Sequence, residues 1–391
     1  MTPPCKYSME KSFDPYDLWS TSIGVKARQM YYKGDKRGFA FSALLGFMDW
    51  WVPVISRRAF GVKPRHYPIV IAHEVLISHL QNQLSGINSA SLLQLLRFIA
   101  VDPTGTNGVW AWGLGLPWMS KNGLYPPNIP FITHTPYVMK ALLYLADYTE
   151  TKKEAMSMFF GTWPFLQSLK VMYEGSDKIA LSYSPVDEPR IVINANAYAS
   201  FAYALHVLHG DAGIRDIAKE RAVKLARWVV DQQQPDGSWY YYADREKGNF
   251  IDCFHSSFVI KNLNIVMNMI PEISNIANKP VEKGWEFLNT SFFDHKKGLC
   301  RRFVDRDTHD PYLWDIYDQA EYLGLLIDFG LLKEASDFRT RVAELFKYDG
   351  DWWCRIDILG RRWGKNYMRW GITPFLYHSS RLDLAIKQGR Q

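Results

Sequence analysis

The chain has 391 residues, 47% of them hydrophobic and 22% charged, which suffices for a large core and excludes a disordered chain or a solvated coiled coil. Its net charge of +6 comes from 46 basic and 40 acidic residues, and residues 1–70 hold the whole surplus, with 11 Lys and Arg against 5 Asp and Glu. A surplus of that size, in a segment without a recognised reader motif, argues against a nucleic-acid partner.

The first residues, Met1 to Lys6, have no apolar run behind them, so no secretory signal is expected. Three helical pieces follow, at 16–32, 39–50 and 70–84, divided by Gly- and Pro-containing turns. The stretch 39–55 is the most apolar, yet it carries Asp49 and Pro53 and is too short to span a bilayer. Residues 1–90 are expected to form a basic, apolar helical extension that packs on the rest of the chain. Its residues 1–70 suit an anionic membrane surface or a membrane-bound assembly complex, the alternative being a capping segment with a solvated basic face. The expected location is the cytoplasm, peripheral at the inner membrane face if that surface is used. Four cysteines, at 5, 253, 300 and 354, form no C-x-x-C pair and suit a reducing compartment.

Beyond residue 90 a pattern recurs. A short stretch rich in Trp, Tyr and Gly precedes a strongly apolar helix at 131–148, 191–208, 251–269, 312–327 and 370–386. Amphipathic helices, charged on one face, are expected between them at 150–173, 214–233, 279–288 and 333–346. The pairs are offset by about 50 to 70 residues, the mark of a helical repeat closed on itself. Such a ring gathers the N-terminal ends of its inner helices, with their preceding loops, at one rim.

The pattern resembles the all-α (α/α)6 toroids, a group that includes uronyl C5-epimerases, polysaccharide lyases, several glycoside hydrolases and terpene cyclases. The segments that carry the likeness are Asp14-Pro-Tyr-Asp-Leu-Trp19, Tyr183-Ser-Pro-Val-Asp-Glu-Pro-Arg190 with Asn194-Ala-Asn196, and Gln234-Pro-Asp-Gly-Ser-Trp239 followed by Ile251-Asp-Cys-Phe-His255. They are similar to (α/α)6-toroid proteins of bacterial capsule and surface-polysaccharide biosynthesis, and in organisation they resemble the C-terminal domain of D-glucuronyl C5-epimerases. The resemblance implies a toroid over residues 91–391 and an acidic oligo- or polysaccharide partner.

Four clusters are candidates for chemistry. Asp252 and His255 stand three apart at a helix start, so the carboxylate can orient the imidazole for proton transfer. Tyr183, Asp187, Glu188 and Arg190 precede Asn194 and Asn196, two amides in an apolar helix that need hydrogen-bond partners such as sugar hydroxyls. Trp314, Asp315, Tyr317, Asp318 and Glu321 present carboxylates at three-residue spacing, which permits hydrolysis if they face a cavity. Arg369 stands with Trp363, Tyr367, Tyr377 and His378, an arginine to hold a carboxylate beside phenols that can move a proton, and His134 with Tyr137 is a similar pair. The expected catalytic residues are His255, Asp252, Tyr183 and Tyr367. Arg190, Asn194, Asn196, Arg369, Trp110, His134, Trp239, Trp314, Asp318 and Glu321 are expected to bind substrate. Aromatics before helices, among them Trp112, Trp118, Trp352, Trp353 and Trp370, suit stacking on pyranose rings.

No dinucleotide, Walker, nucleophile-elbow or His-Glu-x-x-His motif is present, and no cofactor or metal is expected, the alternative being a metal held by His255 and two of Cys253, Cys300 and Cys354. The leading expectation is C5 proton abstraction on a uronate-containing glycan, by an epimerase or lyase. The alternatives are a glycoside hydrolase with paired carboxylates and a non-catalytic glycan-binding or scaffold subunit.

Overall fold

The computed structural model describes residues 11–121, 123–186, 189–304 and 312–389, so Cys5, Asp187 and Glu188 lie outside the described residues. The chain opens with α1 (Ser22–Tyr32), α2 (Lys36–Trp51) and α3 (Pro53–Ala59). Buried and half-exposed helices then alternate. The buried α4 (Pro68–Leu80) is followed by α5 (Gly86–Phe98), and α6 (Thr135–Leu145) by α7 (Thr149–Phe160) and α8 (Thr162–Ser168). Next come α9 (Ile193–His209) with α10 (Arg215–Asp231), and α11 (Cys253–Met269) with α12 (Pro271–Ser291). Last are α13 (Ile316–Asp328) with α14 (Leu332–Phe346), and α15 (Thr373–Gln388).

The buried helices close a ring. α4 packs on α6, α6 on α9, α9 on α11, α11 on α13 and α13 on α15, and α15 returns to α4. This is an (α/α)6 toroid with an N-terminal helical extension. Residue composition assigns the layers. In α9 every residue from Ile193 to His206 is buried, and its alanines let neighbours approach on all sides. In α10 only one stripe is buried, including Ala218, Ala222, Leu225 and Val229 at three- and four-residue spacing, as an outer helix requires. α4 lies in the inner ring between α6 and α15, so the boundary expected at residue 90 falls within α5.

The expected inner helices are all found, with one change of type. The segment expected to begin a helix at 312 forms strand Tyr312–Asp315, and α13 begins after it. That strand pairs with Asp351–Asp357, which also pairs with Arg362–Lys365 in a hairpin. In chain order the strands are β1 (Trp118–Ser120), β2 (Gly123–Tyr125), β3 (Val171–Glu174), β4 (Ile179–Leu181), β5 (Phe293–Asp294), β6 (Leu299–Cys300), β7 (Tyr312–Asp315), β8 (Lys347–Tyr348), β9 (Asp351–Asp357) and β10 (Arg362–Lys365). Two-stranded pairs of this size serve as loop braces between successive helices. No described helix is long and apolar enough to cross a membrane.

His206 of α9 shows how tightly the ring is sealed. Its Nε2 lies 2.9 Å from the Thr162 hydroxyl, and burial pushes its imidazole down to about 4. The unfolded chain binds a proton near pH 6.5 that the native protein refuses until about pH 4, so stability from this group is complete above 6.5 and lost as pH falls toward 4. In a His206→Asn variant, the pH dependence of the unfolding free energy between those limits should be shallower by about 1.4 kcal/mol per pH unit. Urea unfolding at a series of pH values measures it.

Candidate functional site

Each inner helix contributes from its N-terminal end to one cavity of about 390 Å³. Ile69 comes from α4, Thr133 and His134 from the approach to α6, Asn194 from α9, His255 from α11, Tyr317 from α13, and Arg369 and Trp370 from the approach to α15. Tyr16 reaches in from the N-terminal segment, its ring 5.0 Å from that of Trp370 and 4.4 Å from that of Trp118. Gly371 makes the last of these approaches possible. It adopts φ +105°, and a Cβ there would stand 2.7 Å from the Tyr317 backbone nitrogen, so only glycine lets the chain turn here beside α13.

The Asp252–His255 pair lies together on the cavity wall. Asp252 caps α11 by position, but its carboxylate makes no cap hydrogen bond. Both its oxygens instead lie 2.8 Å from His255 Nδ1. With Nδ1–H donating to the carboxylate, Nε2 is left as the proton acceptor. Asp252 is 2% exposed, whereas the imidazole, at 20%, reaches the cavity between the rings of Phe254 (3.9 Å between centroids) and Tyr241 (4.5 Å).

Charge and unfilled hydrogen-bond capacity surround this pair. Arg302 and Arg369 both line the cavity, each already held by a buried carboxylate. Arg302 Nη1 donates to Asp315 at 3.0 Å, and Arg369 forks onto Asp14 at 2.6 and 2.8 Å. His134 is buried, and desolvation, aided by the charge of Arg369, pushes its imidazole down to about 3, so it is neutral at physiological pH. Its Nδ1 lies 3.3 Å from the Thr133 hydroxyl, which in turn lies 2.8 Å from the Tyr183 phenol. His134 Nε2 and Asn194 Oδ1 are buried and have no hydrogen-bond partner among the described residues. Polar atoms left in that state on a cavity wall are suited to a polar ligand. No group of His, Cys, Asp and Glu among the described residues is arranged to hold a metal ion.

No family model matches the chain, and no curated protein matches it. Solved structures do. It is similar to a D-mannose isomerase, with TM-score 0.59 and 14% identity over 82% of this chain and 87% of that one. A sugar epimerase from a ruminal bacterium gives TM-score 0.56 and 12% identity over 84% and 90% of the two chains. A family 76 glycoside hydrolase (mannosidase) from Bacteroides thetaiotaomicron VPI-5482 gives 0.54 and 11% over 82% and 87%. The fold is thus shared with carbohydrate-active isomerases, epimerases and glycoside hydrolases. It does not single out the glucuronyl C5-epimerases.

Of the residues expected at the site, His255, Asp252, Tyr183, Asn194, His134 and Arg369 line the cavity. The others are placed elsewhere, each with its own physical reason. Arg190 forks onto Asp244 and lies 3.6 Å over the Tyr242 ring. Trp239 donates its indole N–H to the Val229 carbonyl at 2.9 Å, and Trp110 packs in the core against Trp112. Trp314 is buried in strand β7. The carboxylate stripe is wholly buried: Asp318 accepts the Phe254 N–H at 3.0 Å, and Glu321 pairs with Lys261 at 2.6 Å. Tyr367 lines a separate groove, where the Arg57 guanidinium lies 5.1 Å over its ring.

Asn196 is committed to the scaffold. Its amide accepts the Leu181 N–H at 2.7 Å and donates to the carbonyls of Leu181 and Val192 at 3.2 and 3.0 Å, tying β4 to α9. Asn196→Ala should cost about 3 kcal/mol in urea unfolding, because it leaves buried backbone groups unpaired. Sequence reasoning did not single out Arg302, Lys121 or Thr133, which line the cavity. Arg302 lies in the Gly-Leu-Cys-Arg-Arg-Phe stretch ahead of α13, a position that marks rim residues in the other repeats.

Proposed function

We propose that the protein is a carbohydrate-active enzyme that removes a carbon-bound proton from an acidic, uronate-containing saccharide. The observation that carries this reading is the Asp252–His255 pair, set at the wall of a cavity that holds two arginines and two unfilled polar atoms. His255 Nε2 takes the proton from C5, and Asp252 stabilises the imidazolium that results. The electron pair moves onto the adjoining carboxylate, whose growing charge is met by Arg302 and Arg369, while Asn194 and neutral His134 orient the ring. Reprotonation on the opposite face gives the C5 epimer, and expulsion of the 4-substituent gives the unsaturated product of a lyase.

A second reading keeps the same base and changes the substrate. Proton removal beside the carbonyl of an open-chain neutral sugar would give isomerisation or 2-epimerisation, which is favoured by the fold likeness to a D-mannose isomerase and a sugar epimerase. Hydrolysis has less support. It uses two carboxylates about the scissile bond, and Asp252 is the single carboxylate among the described residues that line the cavity.

Incubation in D₂O with uronate oligosaccharides, and in parallel with mannose and cellobiose, tests the proposal by mass spectrometry. Deuterium at C5 without change of chain length supports epimerisation, and a 4,5-unsaturated end supports elimination. Deuterium at C2 of the neutral sugars selects the second reading. Shortened saturated products overturn both.

A further inference from the structure

The N-terminal helices present a surface unlike the rest of the molecule. α2 contributes only Gly38 and Leu45 to the buried interior. Its contact with α1 is close and narrow: a Cβ on Gly38 would meet Met30 and Tyr31 at under 3 Å. Its large apolar side chains face outward, with Phe39, Phe41, Leu44, Phe47 and Trp51, joined by Ile55 of α3, each 50–65% exposed. A second element joins them from far along the chain. Ile358 and Leu359, at the tip of the β9–β10 hairpin, are 64% and 69% exposed. That hairpin is fastened to α2 by the Trp51–Trp363 ring contact at 6.1 Å and by Arg361 over Trp51 at 6.0 Å. Exposed apolar groups of this number and size mark an interaction surface.

We infer that α2, α3 and the β9–β10 hairpin tip seat the protein on an anionic lipid surface. Charge selects that occupant. Lys33, Lys36, Arg58 and Lys63 are exposed and make no ion pair among the described residues. The carboxylates of these elements are already engaged within the chain, Asp35 by Arg37, Asp49 by Arg57 and Asp357 by Arg361. The surface therefore carries uncompensated positive charge around an aromatic-rich apolar centre, the pattern of an interfacial membrane anchor. In a two-fold contact with a second copy the same cations would oppose one another. A groove of about 830 Å³ shares Trp50, Val54 and Arg58 with the patch and is floored by Arg57, whose buried Nε has no partner. Its chemistry suits a phosphate headgroup.

This inference is independent of the proposed reaction, and its test needs no saccharide. Flotation with phosphatidylcholine vesicles carrying about one third phosphatidylglycerol should recover the protein at least about tenfold better than phosphatidylcholine alone, and high salt should weaken the binding. Phe47→Glu with Ile55→Glu should lower recovery by about tenfold or more, and so should Leu359→Glu in the distant hairpin. All three side chains are exposed, so the circular dichroism melt should be unchanged. Equal recovery of the native protein on neutral and anionic vesicles overturns the inference. So does full binding by the Glu variants, or a dimer in light scattering that those variants dissolve while no form of the protein floats.

Discussion

His255→Ala should lower deuterium incorporation into the responsive saccharide by about a thousandfold while leaving the fold intact, the range a positioned general base contributes. The imidazole sits at the edge of the cavity, and its main polar partner is Asp252 on its own helix turn, so its removal empties a wall without opening the core. Asp252→Asn is the companion variant. An amide can hold Nδ1 but cannot balance an imidazolium, so turnover should fall by a similar factor while KM changes little. A structural role for the pair would instead move the urea midpoint and KM together. Incorporation at the native rate in both variants would show that the base lies elsewhere on the rim.

Local relations were legible in the sequence and long-range ones were not. Asp252 and His255 share one helix turn, and Asn194 stands with Asn196 at the start of a largely apolar helix, so local spacing brought them forward. The stripe of Asp315, Asp318 and Glu321 was legible as a stripe, but most of its partners lie outside its own helix. Asp315 accepts from Arg302, Arg355, the Trp370 indole and the Tyr317 N–H, so it serves as a junction between β7, β9 and the approach to α15. The tryptophans misled for a similar reason. An indole N–H needs an acceptor, and for Trp112 and Trp239 that acceptor is a helix carbonyl in the core, Leu96 and Val229 respectively. The ring closure of α15 on α4 spans almost the whole chain, and no periodicity within either helix reveals it.

Asp14→Ala should destabilise the protein by about 3–5 kcal/mol, the largest loss expected from any single charge. Asp14 is fully buried and Arg369 is 6% exposed, and their fork joins residues 355 positions apart. Asp14 also accepts the Tyr16 N–H at 2.9 Å and, through its carbonyl, Arg57 Nη2 at 3.2 Å, while its own N–H donates to Asp17. One residue thus fastens the N-terminal segment to α3, to the approach to α15 and, through the Asp17–Tyr67 bond of 2.7 Å, to the start of α4. Removing the carboxylate strands a guanidinium without its counter-charge, and Arg369→Met strands the carboxylate. The double variant strands neither, so it should be more stable than the sum of the two losses implies, by about 1–3 kcal/mol in a double-mutant cycle. Strict additivity would mean that the two groups do not act as a pair. Asp17 supplies a second readout. Burial, together with the negative charge of Asp14, pushes its carboxyl up to about 6. A raised carboxyl pKa favours the native state below about pH 3.8, and that contribution is lost as pH rises through about 6. In Asp14→Ala the repulsion is gone and Asp17 should titrate lower, so this rise in stability on acidification should begin at a lower pH than in the native protein.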